Sequence, residues 1–168
     1  MRRLPLPLAL PLLAFAVLAS AQAAAAQRRA AGADFGGQWN YAVYATDRSE
    51  LPPAYRGMEL NEVPQFAVDV TIEQRGRRLT GTCGVLARYL ARVEDCDFTA
   101  TVRNGAAQFS LRSSFGGSAT VRLTLRRGGG LRWQTLRRRG QSYYPEDVTL
   151  RRLKPGETPP YVAREDEP

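Results

Sequence analysis

The chain has 168 residues, a formal net charge of +8 and no histidine. One domain fits that length. The missing imidazole excludes serine–histidine and cysteine–histidine catalysis. Two cysteines alone are too few for a zinc site. The sequence therefore points to no metal, no cofactor and no enzyme.

The chain opens Met1-Arg2-Arg3, runs apolar from Leu4 to Ala19, and then reaches Ala21-Gln22-Ala23. A basic start, an apolar middle and small residues at minus three and minus one predict a secretory signal peptide over residues 1–23. Ala21 and Ala26 are competing cleavage points. Pro5, Pro7 and Pro11 make the segment a poor permanent membrane span. No cysteine lies near the cleavage point to take a lipid, so the expected product is periplasmic or secreted and does not span a membrane. The mature chain of about 145 residues can build a real core.

Residues 24–34, with Arg28-Arg29, read as a mobile polar arm. Gly36-Gly37 then opens the run Phe35–Thr46, in which Trp39, Tyr41, Val43 and Ala45 alternate with polar or small positions. A period of two predicts a half-buried strand. Trp39 reads as a plug in one end of the core, or as the wall of a ligand pocket. The stretch from Thr46 to Pro64, with Pro52-Pro53 and Gly57, holds too many breakers for a regular element. It still carries Leu51, Tyr55, Met58 and Leu60, so it reads as a binding loop or a covering flap.

Phe66–Gln74 alternates cleanly, with Phe66, Val68, Val70 and Ile72 inward. Arg75-Gly76 turns it into Arg77–Cys83. Gly84–Glu94 reads as short helical turns or as a wide hairpin end. Asp97–Arg103 places Phe98, Ala100 and Val102 inward. Asn104-Gly105 is the strongest hairpin signal, because a tight primed turn needs positive φ at both central positions. Ala107, Phe109 and Leu111 return. Ala119, Val121, Leu123 and Leu125 form the next inward row, after Gly116-Gly117. Leu131, Trp133 and Thr135 follow the run Gly128–Gly130, and the last strand spans about Asp147–Leu153. Residues 154–168 are proline-rich and acidic, and the composition predicts disorder.

Eight strands joined mostly by tight turns predict an all-β domain over residues 35–153. Its expected form is an eight-stranded antiparallel up-and-down barrel with a long first loop, which leaves no exposed edge. A β-sandwich is the alternative. Cys83 and Cys96 both lie in the exported part, where an even count predicts a disulfide.

Gly37-Gln38-Trp39, with Phe35 before it, resembles the glycine-any-tryptophan signature that opens lipocalin-like (calycin) barrels. That resemblance implies a tryptophan closing one barrel end, with Arg151 or Arg152 from the last strand packed on it. Leu79-Thr80-Gly81-Thr82 resembles a run of the avidin-like branch. Cys83 follows it where that branch has a ligand-contacting tyrosine, and only Trp39 and Trp133 exist as tryptophans, so biotin binding is not implied.

Two functions follow as expectations. In the first, the barrel binds a small apolar ligand in its interior. The lining would be Trp39, Tyr41, Val43, Met58, Phe66, Val68, Val70, Phe98, Phe109, Val121, Leu123 and Trp133. Eight strands is the size at which side chains fill the barrel or leave room for one ligand. In the second, a filled barrel acts as an interaction or inhibitor module with an envelope protein partner. Of the 24 basic residues only Lys154 is not arginine. The outward set Arg78, Arg103, Arg112, Arg122, Arg126 and Arg132 reads as a solvated face reflecting GC-rich coding. Without aromatics placed to stack bases, nucleic acid is not an expected partner. Glu94-Asp95-Asp97 is the one acidic cluster within the expected fold, and it reads as solvated charge.

Overall fold

The computed structural model describes residues 33–161. The expected signal peptide, the arm up to residue 32 and the last seven residues lie outside that range. Eight strands follow in chain order: β1 Gly37–Tyr44, β2 Pro64–Arg75, β3 Arg78–Ala87, β4 Ala91–Arg103, β5 Ala106–Arg112, β6 Ser118–Leu125, β7 Leu131–Arg139 and β8 Asp147–Arg152. They close into a barrel with neighbours in sequence order. All pairings are antiparallel. The up-and-down barrel expected from the alternation is thus the observed fold. Only three short 3-10 turns, all in the first loop, interrupt the β structure.

The barrel has two thin seams. β1 pairs with β8 only at Trp39↔Arg152 and Asn40↔Arg151. β4 pairs with β5 only at Val102↔Ala107 and Arg103↔Ala106. Between the seams run two well-hydrogen-bonded halves, β1–β4 and β5–β8. Asn104 and Gly105 have φ of 51° and 73°. The β4–β5 turn is therefore the primed type that Asn-Gly predicts.

The start of β1 and the turns after β2, β4 and β6 share one end, the closed end. The first loop and the turns after β3, β5 and β7 share the other, the loop end. The closed end is sealed by the chain just before β1. Phe35 is fully buried and its carbonyl accepts a hydrogen bond from Trp39 Nε1 at 2.9 Å. Gln74 grips the same segment, accepting from the Phe35 N–H at 2.7 Å and donating to the Ala33 carbonyl at 3.1 Å. Trp39↔Arg152 pairing points both side chains inward, and the Arg152 guanidinium carbon lies 4.4 Å from the indole centroid. Arg152 also donates to the Asp34 carbonyl at 2.7 Å. Of the two expected candidates it is Arg152 that packs on the tryptophan. Ala33 and Asp34, expected in the mobile arm, belong instead to this closure.

Gly84–Glu94 resolves as strand, turn and strand. β3 runs on to Ala87 and β4 starts at Ala91. Arg88, Tyr89 and Leu90 all have positive φ, at 51°, 62° and 71°. A left-handed non-glycine residue costs about 1–2 kcal/mol. Packing offsets it, since Tyr89 and Leu90 lie against the apolar cluster of Ala45, Leu51 and Val63 under the first loop. Tyr89 Oη donates to the Glu50 carbonyl at 3.0 Å.

Cys83 and Cys96 form a disulfide, as expected, and are directly paired across β3 and β4. It closes a loop with a sequence separation of 13, so chain entropy gives about 3 kcal/mol. Reduction under native conditions is expected to lower the unfolding free energy by that amount, read as a shift in a denaturant melt. An unchanged melt after verified alkylation of both thiols would contradict it.

The segment after β8, expected to be disordered, lies against the barrel as far as Tyr161. Tyr161 is buried with Ala67 and Leu86 on the outer wall. Its hydroxyl meets Asp69 at 3.0 Å and accepts from the Asn40 amide. Composition alone predicts disorder here. Tyr161 with its polar cluster and the Glu157–Arg151 ion pair at 2.6 Å hold residues 153–161 against the barrel.

Candidate functional site

The inward rows of both halves meet in one core. Trp39, Val68, Val70, Phe98, Phe109, Val121, Leu123 and Trp133 are all buried in it, with Tyr41 and Phe66 partly buried against it. Two residues of the expected lining fall elsewhere. Val43 reaches the loop-end rim and is 38% exposed. Met58 packs under the first loop, in the cluster of Ala45, Leu51 and Val63.

The middle of the core is made of rings in contact. Phe98 from β4 and Phe109 from β5 stack at 4.1 Å between centroids and 7° between planes. Trp133 meets Phe109 edge-on at 6.0 Å. Tyr144 lies 6.3 Å from Trp133 on the side of the loop end. Gly81 makes room for this arrangement. A Cβ there would sit 2.6 Å from Phe98 Cζ and 2.5 Å from the Thr71 carbonyl. Recesses open on the outer wall among the described residues. The one of about 490 Å³ runs between residues 153–159 and the outer faces of β1–β4, with Asp69, Thr82, Arg92 and Asp95 among its lining.

Glu94 organises the loop end. Cross-strand pairing with Val85 turns it inward, and it is 1% exposed. Its carboxylate accepts from Ser113 Oγ at 2.6 Å, from the Ser114 N–H at 3.1 Å and from the Tyr143 N–H at 2.9 Å. One buried anion thereby ties the β5–β6 turn to the β7–β8 loop. Charge-assisted bonds of this kind are stronger than neutral ones. Tyr144 adds a bond from its hydroxyl to the Arg112 carbonyl at 2.8 Å. The acidic cluster read from sequence is split by the pleat. Asp95 points outward and accepts from Arg92 Nε at 2.7 Å, and Asp97 is also on the outer face. The alternation itself carried the signal for Glu94, since it shares the inward parity of Cys96 and Phe98.

Burial, then the Glu94 and Asp95 charges, push the Tyr144 phenol up to about 12. An unfolded tyrosine titrates near 10. Above that pH the unfolded chain loses a proton that the native state keeps. The stabilisation is complete below about pH 10 and is lost as the pH rises through about 12. Tyr144→Phe is therefore expected to lose less stability than the wild type between about pH 9 and about pH 12, by on the order of 2 kcal/mol. Parallel alkaline melts would contradict this.

No helix among the described residues is long and apolar enough to cross a membrane, and no cluster of three or more metal-ligating side chains occurs among them. Comparison with known protein families, with curated proteins and with solved structures finds no match for this chain.

Proposed function

We propose that this protein is an exported, lipocalin-like barrel that works through its surface, as an interaction module of the cell envelope, and does not carry out catalysis. The observation that carries this reading is the ring packing at the core. Phe98 stacks on Phe109, and Phe109 meets Trp133 edge-on, where an interior ligand would sit. Each inward strand that brings a large side chain leaves less room for a guest. The tryptophan–arginine stack at the closed end supports the lipocalin-like reading. Export rests on the pattern of residues 1–23, with the disulfide agreeing.

The partner side is the rim built by the first loop and the β3–β4 turn. Val43 is exposed there, and Tyr55 stacks on Tyr89 at 6.2 Å. Aromatic and aliphatic side chains on a rigid rim are what protein partners bury. A photo-crosslinking amino acid at Val43 or Met58 tests this in the living envelope. A discrete protein adduct from these positions, and none from Asn104 at the closed end, is the expected result. Equal labelling from all three would contradict a specific rim.

The competing reading, an apolar ligand enclosed by the inward residues, has partial support at the rim, where Tyr41 and Phe66 are only partly buried. It predicts saturable quenching of Trp133 by a fatty acid or similar probe, which the surface reading does not.

A further inference from the structure

Acidic side chains are missing from one side of this barrel. From Phe98 to Pro145 the chain carries Arg103, Arg112, Arg122, Arg126-Arg127, Arg132 and the run Arg137–Arg139, and not one Asp or Glu. The pairing shows where the heads go. Arg112 and Arg139 flank Ser118 in one cross-strand row, and Arg137 flanks Thr120 in the next. Ala119, between those rows, is buried, so the three arginines share the outer face. All three are exposed. No ion pair joins them to a carboxylate among the described residues. The outer positions of β2–β4 are mixed, with Asp69, Glu73, Asp95 and Asp97 beside Arg75, Arg78 and Arg92.

Apolar side chains mark the same corner. Phe115 projects from the β5–β6 turn and is 45% exposed. Leu136 is the extra residue where the β6–β7 register shifts, and is 44% exposed. Phe115 leans edge-on to Tyr143 at 4.9 Å. The turn beneath it is pinned by the Glu94 carboxylate through Ser113 and Ser114. The aromatic tip is thus held ready on a stiff support.

We propose that this corner docks on an anionic lipid surface. Phe115 and Leu136 enter the headgroup layer, and Arg112, Arg137 and Arg139 meet the phosphates. A flat array of arginines beside exposed apolar tips fits a lipid interface, where charge attracts and apolar side chains insert. Nucleic acid fits less well, because Phe115 and Tyr143 pack edge-on against each other and the outer positions of β5–β7 carry no further aromatic on which bases stack. The rim proposed for a protein partner lies on the other half of the loop end, so the two surfaces can be occupied together.

Flotation of the purified protein with vesicles tests the proposal. Binding to phosphatidylglycerol-rich vesicles, absent with pure phosphatidylcholine and lost at high salt, is the expected result. The triple change Arg112→Glu, Arg137→Glu and Arg139→Glu should weaken binding about a hundredfold or more, at about fivefold for each arginine near an anionic surface. Phe115→Ser with Leu136→Ser should weaken it several-fold while leaving the salt dependence in place. All five sites are exposed, and an unchanged melt confirms that each variant is folded. Equal binding to both vesicle types, or full binding by the triple variant, would overturn the proposal. Binding to heparin in solution without vesicle binding would overturn the lipid assignment in favour of a soluble polyanion.

Discussion

Trp39→Ala is expected to lower the unfolding free energy by about 3–5 kcal/mol, the range for truncating a large core aromatic. In a domain of this size that corresponds to a fall in melting temperature of roughly 10–20 °C. Three losses coincide. The indole is 1% exposed and fills the closed end. Its N–H holds the Phe35 carbonyl, and with it the segment that seals the barrel. Its face also seats Arg152, in the thin β1–β8 seam. Trp39→Phe separates the parts, because it keeps most of the apolar volume and removes the hydrogen bond. An alanine variant that melts like the wild type would mean that the closed end is not built this way.

Glu94→Ala is expected to cost about 3–4 kcal/mol, since three donors lose one buried charged acceptor and two of them are backbone N–H groups that cannot turn away. The loss should be local as well as global. Ser114 and Tyr143 amides should exchange with solvent faster than those of the β2–β3 ladder, because both N–H groups donate to this carboxylate. Glu94→Gln keeps the shape and one acceptor oxygen, so it should recover part of the stability. Equal protection of the two loops in wild type and alanine variant would contradict the clamp.

The barrel was legible because period-two alternation and glycine turns are local signals. Asn104-Gly105 sets its turn through the φ that each residue tolerates, and no distant contact is needed to read it. The disulfide was legible from compartment and count, although its place as a directly paired cross-strand link was not. The β3–β4 turn was not legible. Arg88, Tyr89 and Leu90 have no intrinsic preference for left-handed backbone, and the packing of Tyr89 and Leu90 against the first loop and the Tyr161 cluster is a distant contact. The contacts of residues 154–161 were hidden for a similar reason: composition says nothing of Tyr161 meeting Asp69 and Asn40, or of Glu157 pairing with Arg151. Glu94 was hidden by chemistry, because a carboxylate beside two aspartates reads as solvated until its parity is followed inward. The arginine-only stretch was visible in the sequence. Its meaning depends on Arg112, Arg137 and Arg139 falling on one face beside Phe115, which pairing register alone reveals.

The central claim is that the barrel is filled and acts through its surface. Native mass spectrometry of the protein, purified gently from its native host, tests this most directly. The predicted result is the mass of the disulfide-bonded polypeptide with nothing else retained inside. A stoichiometric apolar molecule, present in every preparation and released only on denaturation, would contradict it.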